Sequence, residues 1–206
     1  MGAGGFGCAA LLGLMLTIAG TPGLRLRGYV SELGEIGAPW AGTYRAAILA
    51  LALSLALMTV AVRPLSGYAA LALGGAAPLA GVSAVVRCTP GCPLPPTEKS
   101  TPADVLHAVV SIAGFTLAAC AMLVLALSTV DAVVRRLSGW TLTLMIALGV
   151  PVGVGIATVG RGVLTGVLER AMITVDFCWL VALSAILARR EPVAPVLLVA
   201  PATPDG

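Results

Sequence analysis

Residues 103–128 read ADVLHAVVSIAGFTLAACAMLVLALS, and beyond Asp104 and His107 the run holds no charged side chain. At 1.5 Å per residue it is long enough to cross the roughly 30 Å hydrocarbon core of a bilayer as a helix. In lipid every peptide group must find its hydrogen bond within the segment or within a closed barrel. A barrel strand would alternate apolar and polar residues. This run is instead continuous in Ala, Leu and Val, so it reads as a helix.

The same reading extends outward in both directions. Of 206 residues, 59% are hydrophobic and only 10% charged, with a mean hydropathy of +1.04. Soluble domains carry roughly a quarter charged residues. Six segments are long and apolar enough to span: Gly5 to Pro22, Tyr44 to Val62, Ser66 to Val86, Ala103 to Ser128, Gly139 to Gly160 and Ala171 to Leu187. The expected fold class is all-α, a polytopic transmembrane bundle of six helices over residues 1–190. A short C-terminal tail, residues 191–206, is rich in Pro, Ala and Val and is expected to be disordered. The helices leave no room for a soluble catalytic module.

The first segment lacks the basic flank of a signal peptide, and Gly-Phe-Gly before Cys8 is a poor lipidation signal, so it reads as a retained helix. Phe6 stands where N-myristoylation after Gly2 would require Ser or Thr.

Six spans place both termini on one face, with Arg63, Arg135 and Arg136 in short gaps and Arg189 and Arg190 closing the last helix. Basic residues tight against helix ends mark a cytoplasmic face. A plain count opposes this, because the other gaps hold Arg25, Arg27, Arg45, Arg87, Lys99, Arg161 and Arg170. Longer loops translocate despite their charge, so the expectation is a multi-pass cell-membrane protein with cytoplasmic termini.

Six of the nine acidic residues, Glu32, Glu35, Glu98, Asp104, Glu169 and Asp176, lie in or beside the alternate, external gaps. That partition predicts a polar site at the outer face. In one of these gaps Cys88 and Cys92 bracket Thr89-Pro90-Gly91, a turn sequence that can bring the sulfurs together. An oxidising compartment permits a disulfide; a reduced, well-packed turn is the other reading. Two thiols with few ligands nearby do not make a metal site. Cys8, Cys120 and Cys178 read as small buried residues.

Gly74 to Pro78 and Gly149 to Gly153 offer small surfaces for close helix approach, within the bundle or across a homodimer face. Pro78 and Pro151 are expected to kink or loosen their helices. Trp40 and Tyr44 fall near one interface and Tyr68 and Trp140 near the other, as an aromatic belt requires. Gly153-Val154-Gly155 follows no strand and is no dinucleotide fingerprint.

Asp104, His107 and Ser111 recur at i, i+3 and i+7 and share one face of the fourth helix. His107 is the only histidine. It should sit about 5 Å below Asp104 and Ser111 about 10 Å below. Glu169 and Asp176 are also seven apart, so the two stripes line one cavity if their helices are adjacent. A carboxylate facing lipid at mid-membrane costs about 3 kcal/mol, so Asp176 should turn inward to partners. Asp104, His107 and Asp176 are the candidate catalytic acid/base groups. Glu32, Arg87, Ser111, Glu169, Arg170 and Trp179 are candidates for binding substrate, with Trp179 able to face a developing cation. Equally, these groups form a structural network, with Arg87, Arg161 and Arg170 as cations. A Ser-His-Asp triad does not fit three residues in a row on one helix, and a single histidine excludes a multi-histidine zinc site. No cofactor is implied.

Ser31-Glu32-Leu33-Gly34 with Gly37-Ala38-Pro39, then Cys88-Thr89-Pro90-Gly91-Cys92-Pro93, then Asp104-Val105-Leu106-His107 with Phe115 beyond, resembles the uncharacterised bacterial membrane family catalogued as domain of unknown function 998. The resemblance implies a six-helix integral membrane protein without established activity, and it would carry over Glu32, Asp104 and His107.

Two functions follow as expectations. One is an acid/base enzyme acting on a lipid or isoprenoid near the outer leaflet, such as a protonation-initiated cyclase; only Phe115, Phe177 and Trp179 then offer aromatic rings deep in the helices. The other is a non-catalytic partner subunit, assembly factor or lipid-headgroup sensor. A dimeric transporter ranks below both, because the inner half lacks a polar path. The partners expected are membrane lipids and a homodimer mate or membrane partner protein. Nucleic acid finds no basic patch in a net charge of +3 spread over helix ends.

Overall fold

In the computed structural model, which describes residues 2–21 and 28–189, helices begin where the sequence supplies a cap. Thr101 and Asp104 cap each other's backbone N–H, with Pro102 opening the helix. The Ser66 hydroxyl accepts from the N–H of Ala69, and the Asp131 carboxylate accepts from those of Val133 and Val134. Each side-chain oxygen satisfies a donor that the first helical turn leaves open.

Six helices result: α1 (Gly2–Gly20), α2 (Ala41–Val62), α3 (Gly67–Val85), α4 (Pro102–Ser128), α5 (Ala132–Thr158) and α6 (Val163–Ala188), with a short 3-10 turn at Val30–Gly34. All six are long and apolar enough to cross a membrane, and no strand occurs among the described residues. The chain is a multi-pass membrane protein. The tail expected at 191–206, with Arg25, Arg27 and Arg190, lies outside the described residues.

Two helices start earlier than hydropathy suggests. α5 begins at Ala132 rather than Gly139, and α6 at Val163 rather than Ala171. A hydropathy reading stops at the last charge, but a helix in the interfacial region carries charged side chains without breaking. Arg135 and Arg136 are therefore helical, and Glu169 and Arg170 lie inside α6. α3 continues past Pro78 and α5 past Pro151.

Each helix packs on its neighbours in sequence, and α1 packs on α6 to close the ring. α4 and α6 are thus separated by α5, and their inner faces look across the middle of the bundle. The closest approaches belong to α1. A Cβ at Gly4 would lie 2.6 Å from the Ser184 hydroxyl, and one at Gly13 would lie 2.9 Å from the Cβ of Ala47. Ser54 on α2 donates to the Ala3 carbonyl at 2.8 Å. Of the small-residue stretches expected to mediate approach, Gly74 and Gly75 do meet Thr59 and Leu117, whereas Gly153 meets nothing within 4 Å.

Two placements correct the sequence reading. Cys8, Cys120 and Cys178 are exposed on the bundle's surface rather than buried; in lipid an apolar thiol has no reason to turn inward. Tyr44 is buried, whereas Trp40, Tyr68 and Trp140 are exposed as interfacial anchors would be. The Tyr44 ring fills the space beside Gly34, where a Cβ would collide with it.

Candidate functional site

Three connections, described over residues 28–40, 86–101 and 159–162, meet over one end of the ring, and charged hydrogen bonds tie them together. Glu32 on the 3-10 turn is 1% exposed. Its carboxylate accepts from Arg161 Nε at 2.9 Å and Nη2 at 2.6 Å, and from the Tyr29 N–H at 2.8 Å. The fork-to-fork geometry is the strong form of this pair, and it raises the Arg161 pKa further above its ordinary value. Gly28 has φ +74°, and a side chain there would strike the Glu32 carboxylate. Glu35 accepts from the Gly91 N–H at 2.5 Å, so the first connection also grips the second.

α6 reaches the same layer. Glu169 Oε2 accepts from the Val30 N–H at 2.9 Å, and Arg170 Nη1 donates to the carbonyls of Gly28 and Gly166 at 3.0 and 2.8 Å. Arg170 thus holds the loop backbone and does not line the cavity below. Arg87 is exposed and also lies outside it.

The second connection is organised around Asp104. One carboxylate oxygen accepts from the Thr89 N–H at 2.7 Å. The other accepts from the Thr89 hydroxyl, the Thr101 N–H and the Thr101 hydroxyl at 2.9, 2.8 and 2.7 Å. With that many donors the group clamps the loop to the start of α4. Within the clamped loop, Cys88 and Cys92 are disulfide-bonded, with Cα atoms 5.0 Å apart, and they form a small buried cluster with Tyr29. Gly91 (φ +87°) and Cys92 (φ +41°) turn the chain between them.

Beneath the loops lies a cavity of about 160 Å³ with apolar walls from all six helices, Leu14, Leu51, Ala80, Phe115, Val152 and Phe177 among them. From Asp104 to Ala118 its α4 wall runs about 20 Å into the bundle. Asp104, His107, Ser111, Glu169 and Asp176 all border it, so the stripes on α4 and α6 do meet, across the cavity and not by direct packing. His107 Nδ1 is 3.1 Å from the Val86 carbonyl, and Ser111 bonds to Ser83 at 2.8 Å and to the His107 carbonyl at 2.8 Å. The imidazole Nδ1 thus pairs with a carbonyl and not with Asp104. Trp179 is also a correction: its indole donates to the Ser138 hydroxyl of α5 at 3.2 Å, outside the cavity.

Two cavity atoms are buried and lack a protein partner: Asp176 Oδ1 and the Tyr29 hydroxyl. Burial first, and then the carboxylates of Glu98, Glu169 and Glu32, push the Tyr29 phenol up to about 12. Among the described residues no group of three His, Cys, Asp or Glu side chains is placed to hold a metal ion.

Thr89, Thr101 and Tyr29 escape the sequence reading as site residues, Glu35 enters it only among the six external acids, and Arg161 only as one of the available cations. For Thr101 a signal exists, in Thr-Pro-Ala-Asp ahead of an apolar run. For Arg161 and Glu32, 129 residues apart, none does.

A family model described as a protein of unknown function, DUF998, matches residues 4–186. No curated protein and no solved structure matches the chain.

Proposed function

The chain belongs to the DUF998 family, and from that premise we propose that it binds an apolar segment of a lipid or isoprenoid in the cavity beneath its acidic loops. The observation that carries this reading is Asp176 Oδ1, an unpartnered carboxylate oxygen at the apolar centre of the bundle. Leaving a buried acceptor unpaired costs about 1–3 kcal/mol, more when it is charged, a cost that a bound molecule with a donor removes. A cavity of about 160 Å³ takes a group of benzene size, so it suits the end of a chain or one prenyl unit. The loop layer faces the exterior in this reading, with the termini cytoplasmic, and the protein is a lipid-binding or lipid-sensing subunit.

One observation favours a second reading, acid/base chemistry on an isoprenoid. Sequence alone leaves the cavity short of aromatic rings, but the fold brings Tyr29 and Tyr44 to join Phe115 and Phe177 along its wall. Four rings with an acid at Asp176 are a lining that could stabilise a developing cation. Asp104 and His107, held by backbone and hydroxyl partners, take no part in it.

The test is extraction of lipid from the full-length protein purified in mild detergent, with identification by mass spectrometry. The wild type should carry one lipid class in near-stoichiometric amount. Ala118→Phe, which fills the cavity wall, should lose it while keeping a cooperative melt; the same lipid in equal amount on both proteins would refute cavity binding.

A further inference from the structure

Three carboxylates border the cavity against one imidazole, His107, whose Nδ1 is taken up with the Val86 carbonyl, and this bears on what enters it. Asp104, Glu169 and Asp176 border it, and among the described residues no Lys or Arg does. Arg161 grips Glu32 in the loop layer, and Arg170, next to Glu169 in α6, spends Nη1 on the Gly28 and Gly166 carbonyls outside the lining. The three carboxylates differ in what they have left to offer. Asp104 is surrounded by donors, Glu169 receives one at Oε2 from Val30, and Asp176, only 3% exposed, keeps Oδ1 without a partner.

An anionic head such as a phosphate or a fatty-acid carboxylate would meet these carboxylates with no Lys or Arg on the lining to offset them, which is unfavourable at the low dielectric of a bundle interior. A hydroxyl would offer Asp176 one donor and no charge. A protonated amine offers three donors and the opposite charge. The walls agree independently. Of the chain's three Tyr and three Phe, two of each line this one cavity, and aromatic faces within about 6 Å of a cation attract it. The Tyr29 hydroxyl, also unpartnered, adds an acceptor toward the loop end.

We infer that the ligand of this cavity is an amphiphile whose polar end is a protonated amine, seated against Asp176 among the aromatic rings with its short apolar chain along the α4 wall. This deepens the cavity-binding reading and rests on it. It names the head group, so the test varies the head group at constant chain.

Full-length protein in phosphatidylcholine nanodiscs is titrated with octylamine, octanol and octyl phosphate at neutral pH, with affinity read by calorimetry and by thermal shift. Octylamine is expected to bind about tenfold or more tighter than octanol, the scale of one desolvated charge contact, and octyl phosphate is expected not to bind. Asp176→Asn keeps the shape and should remove the preference for octylamine while leaving octanol affinity unchanged. Because a buried substitution can fail to fold, the wild-type comparison of octylamine with octanol carries the test by itself, and Arg136→Gln, exposed on α5 and outside the cavity, is the control that should keep the amine preference. Equal affinity for octylamine and octanol in the wild type, or an undiminished amine preference in a folded Asp176→Asn, overturns the inference about the head group and leaves cavity binding standing. Failure of all three ligands to bind a protein that also carries no extracted lipid overturns both.

Discussion

Removing the Arg161 guanidinium would take two of the donors from the Glu32 carboxylate, 1% exposed, and leave it the Tyr29 N–H. Stripping one partner from a buried pair costs several kcal/mol; because the Arg161 side chain is 42% exposed, we expect about 2 kcal/mol for Arg161→Ala. A fall in melting temperature should therefore accompany Arg161→Ala and be absent in a surface control such as Arg87→Ala; equal melts would show that the pair is idle. Tyr29 supplies a pH dependence. Its phenol is raised to about 12 in the fold against about 10 in an unfolded chain. The folded state therefore holds the proton more tightly, and the stability this contributes is complete below about pH 10. It is lost as pH rises toward about 12. Thermal melts across that window should fall more steeply for the wild type than for Tyr29→Phe, and parallel curves would contradict the assignment.

At the scale of elements, α4 is decided by its first turn. Asp104 both caps the helix and holds Thr89 of the preceding loop. Asp104→Ala should lose the cap and the loop clamp together, about 2 kcal/mol, whereas Asp104→Asn keeps acceptors for part of the set and should lose less. A catalytic Asp104 would give the opposite pattern: both variants inactive toward ligand, with melts unchanged. α1 shows why an element can be legible while its role is not. Its apolar length marks a span, but that its glycines seat α2 and α6 depends on which residues face them, here Ala47 and Ser184.

For the whole molecule, the three loops joined by Glu32–Arg161, Glu35–Gly91 and Glu169–Val30 form one layer, so they must all lie on the same side of the membrane. Cytoplasmic termini would put that layer outside. An impermeant thiol reagent applied to intact cells should then modify a cysteine introduced at exposed Lys99 of that layer (Lys99→Cys), once Cys8, Cys120 and Cys178 are replaced by Ala. Modification only after permeabilisation would reverse the orientation.

Hydropathy by itself determined the six spans and the all-α class, because lipid demands a long apolar helix wherever the chain crosses and the requirement is local. Counting spans also placed the acids on one face, since antiparallel crossings return alternate gaps to the same side. Spacing along single helices put Asp104 with His107 and Glu169 with Asp176 at the same cavity, because helical periodicity fixes which side chains share a face. What those side chains do was decided only by the tertiary structure. Asp104 became a cap and clamp, His107 turned to the Val86 carbonyl, Trp179 turned to Ser138, and Tyr44 left the interface for the cavity wall. A polar group's partner is set by distance in the folded ring, and hydrogen-bond reach of about 3 Å joins residues more than a hundred positions apart. No local pattern encodes that; the closing of α1 on α6 does.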